Sequence, residues 1–401
     1  MKKILCLLAT VITAGTGCVT FAAPPVVSNV RCSQIAGTKN VEILYDVSDA
    51  DGDLQTIGVQ VSGDAGQTYT IPATALSGAV GAGVSVGTNR RIVWNAGADW
   101  NGQYVALAKI RVTASDGTTP APPPGMAYIP AGTFQMGDNF NEGGGLPVHV
   151  VFVSGFFLDK FEVKNELFVN VATWASGHGY SISGGNSDGN GYPVWGMSWY
   201  EAIKWCNARS EKEGLTPVYY TDDAQTIVYR QASVDVTNTQ VKWSANGYRL
   251  PTEAEWEKAA RGGSLGLRYP WGNTVNGSQA NYGGSGDPFA SGSQTTPVGY
   301  YNGAQTPVGV DMANGYGIYD MAGNVWEWCW DWYDVAYYGN VVAGNTPLGP
   351  TGGSYRVRRG GSALGGTSSL SCAQRDNTGP ANTGIFYGIN ALLGFRCARG
   401  Q

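Results

Sequence analysis

A proline-rich segment near residue 120 divides the chain into two parts with different sequence patterns. Residues 118–124 read TTPAPPP, and such a run forms a semi-rigid extended linker rather than a packed element. The chain has 401 residues, whereas a single hydrophobic core usually stops growing at ~250–300 residues. We therefore expect two folded domains, over residues 24–117 and 125–401, joined by a linker at 118–124.

Residues 1–23 have the pattern of a secretory signal peptide. Two lysines precede the apolar run Ile4–Thr13, and small residues lead to Ala22 and Ala23. The apolar run is too short to span a bilayer. We expect cleavage after one of these alanines and export to the periplasm, the extracellular space or the cell surface, with no transmembrane span in the mature chain. Lipid attachment at Cys18 is the alternative, although Gly15 stands where such signals usually carry Leu.

Residues 24–117 have the pattern of an all-β domain. Apolar and polar residues alternate in runs such as Val41–Val47 and Ile57–Val61, and glycine-containing turns separate the runs. This pattern predicts a β-sandwich that resembles immunoglobulin-like or fibronectin-like modules, with Trp94, Trp100 or both in its core. The acidic loop Asp49–Asp53 is interpreted as a solvated turn, with calcium binding as the alternative.

The composition limits the partners of the chain. Net charge is -5 with 25 Lys and Arg residues, so no basic stripe is expected and nucleic acid is an unsuitable partner. Charged residues make up only 14%, against about 25% in ordinary globular domains. With 59 Gly and 13 Trp, the second domain is expected to be loop-rich, with short strands.

Three helices are predicted in the second domain. Ser198–Glu201 and Thr252–Glu255 both have the spacing of a capping box. The second box opens a helix that Gly262 is expected to close. A further helix is expected over Asn165–Trp174.

Eight phrases in the second domain together resemble the formylglycine-generating enzyme (sulfatase-modifying factor) family, across about the last 275 residues. They are Met126–Gly137 (MAYIPAGTFQMG), Pro147–His149 (PVH), Phe157–Val163 (FLDKFEV), Tyr248–Glu257 (YRLPTEAEWE), Pro270–Gly272 (PWG), Gly315–Trp328 (GYGIYDMAGNVWEW), Arg359–Ser362 (RGGS) and Gly394–Cys397 (GFRC). The resemblance implies an α+β fold with few helices and short strands. It also implies an oxidase that acts on protein cysteine.

The resemblance implies calcium as a cofactor. The family uses an Asp/Asn-x-x-Gly-Asn-x-x-Glu run as a calcium site, and oxygen ligands suit this ion. The implied ligands of the first site are Asp320, Ala322 through its carbonyl, Asn324 and Glu327. A second implied site would use Asn281, Tyr282, Asp287 and Phe289. In both places a capped turn without a metal is the alternative.

The implied catalytic metals do not suit this sequence. Aerobic members of the family bind copper(I) through two cysteines that follow Gly-Gly-Ser, and Gly365 and Leu370 stand at those positions here. Related sulfoxide synthases hold iron with three histidines, and this chain has only His149 and His178. We therefore expect neither copper nor iron.

Other polar residues of the second domain are expected to be structural. Three glutamates, Glu253, Glu255 and Glu257, fall in the first turns of one predicted helix, where negative charge suits the helix dipole. Four arginines are expected to tie loops together through carbonyl groups: Arg249, Arg359, Arg375 and Arg396. No catalytic residue is assigned, and the candidates to line a ligand groove are Ser362, Cys372 and Arg375.

An exported chain favours paired cysteines. Without the leader, five remain, which is an odd number. The resemblance implies a disulfide between Cys206 and Cys397, and a second one between Cys329 and Cys372 would leave Cys32 unpaired.

Together these observations predict an exported member of the family, either non-catalytic or divergent, that binds a peptide, glycan or envelope partner on a calcium-stabilised scaffold. The alternative is a formylglycine-type oxidoreductase with rearranged metal ligands. One fold hosts many chemistries, so the fold alone does not decide between them.

Overall fold

The structure is a computed structural model. It describes residues 25–49, 52–63, 71–102, 108–115, 121–138, 140, 147–289, 295–340, 347–386, 389–390 and 392–400. The expected signal peptide with Cys18, two residues of the acidic loop at 49–53, and residues 118–120 of the expected linker lie outside the described residues. No helix of the described part is both long enough and apolar enough to cross a membrane.

The N-terminal domain is a two-sheet β structure, as predicted. Its elements are β1 (Val26–Gln34), β2 (Asn40–Ser48), β3 (Gln55–Ser62), β4 (Leu76–Gly78), β5 (Gly81–Val84), β6 (Gly87–Asn95), α1 (Ala96–Asp99) and β7 (Lys109–Ser115). One sheet has the order β1-β2-β6-β4 and the other β5-β3-β7. Alternate residues of β2, Ile43, Tyr45 and Val47, are buried between the sheets. Trp94 joins this core, whereas Trp100 is only partly buried.

The second domain combines short strands, long loops and four helices among the described residues. Its strands are β8 (Met126–Ile129), β9 (Gly132–Met136), β10 (His149–Val153), β11 (Phe156–Asp159), β12 (Tyr248–Arg249), β13 (Trp326–Trp332), β14 (Arg356–Arg359), β15 (Asp376–Thr378), β16 (Ile385–Phe386), β17 (Ile389–Asn390), β18 (Leu393–Gly394) and β19 (Ala398–Arg399). Its helices are α2 (Asn165–Ser176), α3 (Trp199–Lys212), α4 (Glu253–Ala260) and α5 (Tyr337–Asn340). This α+β architecture agrees with the predicted fold class.

Helix caps fix where α3 and α4 begin. Thr252 and Glu255 form both bonds of a capping box, at 3.2 and 2.8 Å. At α3 only one half of the predicted box forms, since Ser198 Oγ accepts the Glu201 amide at 3.2 Å. The Glu201 carboxylate instead accepts the Ser183 amide at 2.8 Å and pairs with Lys204 at 2.9 Å.

Two sheets position the residues predicted to bind ligands. One has the order β12-β19-β11-β8, and the other β15-β14-β13-β18. Every residue of β13 is buried. Within the second sheet, Glu327 of β13 lies opposite Arg359 of the antiparallel β14 and beside Gly394 of the parallel β18. The Glu327 carboxylate is therefore fully buried at the start of β13.

Candidate functional site

Two predicted calcium loops meet at one close backbone contact. The amide of Asn324 donates to the carbonyl of Asn281 at 2.9 Å. Between them lies Gly323, with φ of 89°, where a Cβ atom would come within 2.1 Å of that carbonyl oxygen. Only glycine permits both the left-handed conformation and this approach. The loop of the first implied site therefore contacts the loop of the second at Asn324 and Asn281.

Glu327 is committed to a buried ion pair. Its two carboxylate oxygens accept bonds from Nε and Nη2 of Arg396, both at 2.7 Å. The indole of Trp256 donates to the same carboxylate at 2.8 Å. Bidentate pairs of this kind are the strongest charge-assisted hydrogen bonds in proteins. Calcium at Glu327 would have to compete with these donors, and the assignment stays a prediction.

Asp320 and Asn324 both adopt positive φ, of 57° and 61°, at the two ends of the loop before β13. Oδ2 of Asp320 accepts the amide of Gly299 at 2.5 Å. Burial is the main reason that the pKa of Asp320 rises to about 6. The side-chain oxygen of Asn324 accepts the Thr296 amide at 2.9 Å, which fixes the orientation of the amide group.

Sequence reasoning missed Glu162, which lies beside this loop. The residue is 2% exposed, and its Oε2 lies 3.4 Å from Nδ2 of Asn324. Burial, and next the charge of Asp320, raise the pKa of Glu162 well above its usual range. The signal available in the sequence was the Phe157–Val163 phrase, which places two acidic residues, Asp159 and Glu162, among apolar ones. What the sequence did not show is that this residue faces Asp320.

The second implied calcium set forms a closed local loop. The Asp287 carboxylate accepts bonds from the Ser285 hydroxyl and, at 3.0 Å, from the Phe289 amide. The Tyr282 carbonyl accepts the Ser285 amide at 2.9 Å. The side chain of Asn281 lies 3.5 Å from that of Asn324. These contacts engage the Asp287 carboxylate and the Tyr282 carbonyl, and calcium at this second set stays a prediction.

The donor set near Asp320 suits a hard cation. Among the residues that the structure describes, no group of three or more His, Cys, Asp or Glu side chains is arranged to hold a metal ion by itself. Calcium, however, takes six to eight oxygens and accepts carbonyls, amides and water beside one or two carboxylates. A buried carboxylate without a cationic partner costs several kcal/mol, so an ion beside Glu162 and Asp320 would offset that cost.

The glutamates of α4 each bind arginine in the core. Glu253 pairs with Arg375 through two bonds of 2.6 and 2.7 Å. Glu255 pairs with Arg249 in the same way, at 2.6 and 2.7 Å. Glu257 binds both Arg261, at 2.7 Å, and Arg359. The arginines also donate to carbonyls, as expected, but their main partners are these carboxylates.

The three groove candidates are held within the protein rather than presented at its surface. Ser362 and Cys372 are buried, and Arg375 is fully engaged by Glu253 and the carbonyl of Asp334. Burial raises the pKa of Cys372 to about 12. A thiol with such a pKa is a poor source of thiolate at neutral pH.

The sulfur of Cys206 lies 3.7 Å from the sulfur of Cys397. Both atoms are buried, and a small movement would bring them to the disulfide distance of about 2.05 Å. Cys329 and Cys372 share one buried core cluster, whereas Cys32 is exposed. Both disulfides stay predictions.

Comparison with known proteins identifies the family. Residues 113–401, well over half of the chain, match the sulfatase-modifying factor enzyme 1-like domain. The chain therefore belongs to the FGE-sulfatase family, as its sequence phrases indicated. The match begins at residue 113, and the expected domain boundary at 125 stays a prediction.

Relatives of the chain carry different names. It is 35% identical over 279 residues to serine/threonine-protein kinase Pkn1 of Chlamydia trachomatis, a match that covers 68% of this chain and 38% of that protein. The chain thus spans well under half of the length of that relative. It is 33% identical over 303 residues to formylglycine-generating enzyme of Thermomonospora curvata, covering 68% of this chain and 93% of that enzyme. The solved structure of Treponema denticola variable protein 1 is 31% identical, with a TM-score of 0.52, and covers 69% of this chain and 95% of that one.

Proposed function

We propose that this chain is an exported, calcium-stabilised scaffold that binds a peptide, glycan or envelope partner and does not carry out the oxidase reaction of its family. The observation that carries the proposal is the burial of Cys372 and the raised pKa of its thiol. This residue is the one cysteine close after the RGGS phrase, and it is fully buried with a pKa raised to about 12. A copper(I) site needs accessible thiolates.

The positions that would supply a thiolate pair support the same proposal. Leu370 is fully buried in an apolar cluster with Tyr269, Ala280 and Ala322. A Cβ atom at Gly365 would lie 2.6 Å from the Ser369 hydroxyl, so a longer side chain there would require that hydroxyl to move. The residues present do not fit copper, and no reaction step is assigned to it.

A binding role uses the surface next to this buried centre. Leu364 of the same segment is 42% exposed, although its neighbours Ser362 and Ala363 are buried. The segment turns back on itself through a 2.9 Å bond from the Gly365 amide to the Ser362 carbonyl. Such a loop on a rigid core is a common way to present a binding surface.

A direct assay separates binding from oxidation. The purified chain is supplied with copper(I), oxygen and a Cys-x-Pro-x-Arg peptide, and formylglycine-generating enzyme of Thermomonospora curvata serves as the positive control. We expect the peptide mass to stay unchanged. A loss of about 18 Da, which accompanies conversion of the thiol to an aldehyde, would support the oxidoreductase alternative. Abolition of that loss by Cys372→Ser would then identify a rearranged ligand.

Export and partner binding need separate tests. The intact mass of the protein from its native host should lack residues 1–22 or 1–23, whereas a lipidated Cys18 at the new N-terminus would support the alternative anchor. Peptide and glycan libraries presented to the folded chain test for a partner. Failure to bind members of either library would leave envelope proteins as the only proposed partner class.

A further inference from the structure

The space between the two sheets of the N-terminal domain is not filled at one end. A cavity of about 430 Å³ lies there, within the range of ~300–1,000 Å³ that is usual for small-molecule pockets. Its wall is formed by apolar side chains of both sheets, among them Val41, Val61, Trp94 and Ile110. Protein interiors are normally packed without voids of this size, so the cavity requires an explanation.

The register of β1 shows where this cavity opens. In the antiparallel pair β1–β2, Cys32 lies opposite Ile43 and Gln34 lies opposite Val41. Residues opposite each other share one face of a sheet, so Cys32 and Gln34 face the same inter-sheet space as the fully buried Ile43. Both nevertheless line the cavity and are exposed. The second sheet therefore does not cover this end of β1, and solvent reaches the cavity beside it.

The floor of the cavity is aromatic, and its polar atom is already engaged. Nε1 of Trp94 donates to Oδ2 of Asp99 in α1 at 2.9 Å. The same carboxylate holds the segment before β4, since it accepts the Thr74 hydroxyl and the amides of Thr74 and Ala75 at 2.6–2.8 Å. Trp94 is thus fixed with its hydrogen bond made, and Trp100 lines the cavity as well. Such ring surfaces suit an apolar ligand.

One cation lies at the mouth of the cavity. Lys39 is the only charged residue among the described residues that line it. The stem of Lys39 lies against Gly97, where an added Cβ atom would come within 2.9 Å of two of its carbons. Its Nζ donates to Oδ1 of Asn101 at 2.6 Å, and within the described part of the chain it contacts no carboxylate. The ammonium group is therefore held in place and is available to pair with an anion.

We propose that this cavity binds one monomeric acyl chain with an anionic head group, such as a fatty acid. The chain lies between the two sheets, where its methylene groups are removed from water. The carboxylate lies at the mouth and pairs with the ammonium of Lys39. All residues that line the cavity precede residue 113, at which the family match begins. The site is therefore independent of the partner surface proposed for the second domain.

The test uses the full purified chain and sodium dodecanoate below its micelle concentration. Calorimetric titration gives the affinity, with dodecanol as the uncharged ligand. Alkylation of Cys32, followed by peptide mass spectrometry, reports occupancy because this exposed thiol lines the cavity. Lys39→Gln removes the cation, and Lys109→Gln is its control, since Lys109 is an exposed lysine of the same domain outside the cavity. Val41→Phe fills the cavity, and Val30→Phe, at a position 38% exposed and outside it, is the control.

We expect dodecanoate to bind one-to-one and to slow the alkylation of Cys32. Shorter carboxylates, down to octanoate, should bind about fourfold more weakly for each methylene group removed. Lys39→Gln should weaken dodecanoate binding by about tenfold or more, the loss expected for a charge-assisted hydrogen bond, and leave dodecanol binding unchanged. Val41→Phe should weaken the binding of both ligands. Neither Lys109→Gln nor Val30→Phe should change either affinity.

Several results would contradict the inference. One is the absence of saturable dodecanoate binding, and another is binding that neither protects Cys32 nor weakens in Val41→Phe. Binding to phosphatidylglycerol vesicles without binding of monomeric dodecanoate would also overturn it, because the cavity is assigned to a single chain. Equal losses in Lys39→Gln and Lys109→Gln would refute the assigned head-group position. If Val41→Phe does not fold, Cys32→Trp obstructs the mouth from an exposed position, and unchanged affinity in that variant would exclude the cavity as the site.

Discussion

The guanidinium of Arg396 and the carboxylate of Glu327 form a two-bond ion pair in the core, with both bonds at 2.7 Å. Neither side chain is exposed to solvent. Arg396 also donates to the carbonyls of Asp159 and Tyr319, at 3.2 and 3.1 Å. One arginine therefore joins β11, the segment just before Asp320, and β13.

Loss of this pair should strongly destabilise the second domain. Glu327→Gln leaves Arg396 buried without its counter-charge, and removal of one partner of a buried pair typically costs about 3–5 kcal/mol. Denaturant unfolding in the presence of chelator measures this cost apart from any metal effect. The control is Asp376→Asn, whose 35% exposed side chain pairs with Arg358 at 2.8 Å and should cost about 1 kcal/mol or less. Equal losses in both variants would contradict this account of the pair.

A second prediction concerns pH and Asp331. Burial, and next the charge of Glu253, raise the pKa of Asp331 from 3.8 to about 8. Between these values the unfolded chain has released the proton and the folded chain retains it. This group therefore lowers the free energy of unfolding as pH rises from about 4 to 8, by as much as ~1.4 kcal/mol per pH unit.

Asp331→Asn removes this titration. Its free energy of unfolding should fall less than that of the wild type between pH 5 and pH 8, and the variant should be the more stable protein at pH 8. Chemical unfolding at both pH values measures the difference, with Asp223→Asn as an exposed control. A wild-type slope retained in Asp331→Asn would show that other groups cause it.

The predicted disulfide can be tested through the Cys206 and Cys397 pair. Their sulfur atoms are 3.7 Å apart, and closing so long a loop should stabilise the oxidised protein by roughly 3–5 kcal/mol. Peptide mapping without reductant should recover the two cysteines in one linked fragment. Alkylation of Cys206 in unfolded, unreduced protein would rule the bond out. In reductant, where neither protein has the bond, Cys206→Ser should unfold like the wild type.

The local parts of the structure were predictable from the sequence because they depend on neighbouring residues. The capping box at Thr252 and Glu255 places the start of α4 where the sequence indicated. At α3 the same pattern was only half right. The Glu201 carboxylate binds Lys204 and does not accept the amide of the N-cap residue. The spacing of residues in the sequence shows which groups a side chain can reach within its own helix or strand. It does not show which groups of other elements will compete for the same side chain.

The candidate site was less predictable because it depends on contacts between distant segments. The family resemblance implied Glu327 as a calcium ligand, and no local pattern showed that Arg396, from the segment between β18 and β19, binds it. The phrase that contains Glu162 contributed to the family resemblance and showed nothing about Asp320. Charge balance in the core is a property of the assembled fold. It was therefore visible only once these three segments were in place.

The last prediction concerns the glycine at which the two loops meet. Gly323→Ala should destabilise the second domain by more than ~3 kcal/mol, because the added Cβ would come within 2.1 Å of the Asn281 carbonyl. Gly317→Ala is the matched control, since Gly317 also has positive φ, of 72°, but nothing lies within 4 Å of an added Cβ. The control should cost only the left-handed conformation, about 1–2 kcal/mol. Denaturant unfolding of both variants separates the conformational cost from the steric one, and equal losses would show that the contact between Gly323 and Asn281 is not a tight one.

The calcium proposal also predicts different responses to calcium in these two variants. Gly317→Ala should keep the calcium-dependent rise in melting temperature. Gly323→Ala should lose most of that rise because the loop that carries Asp320 is displaced.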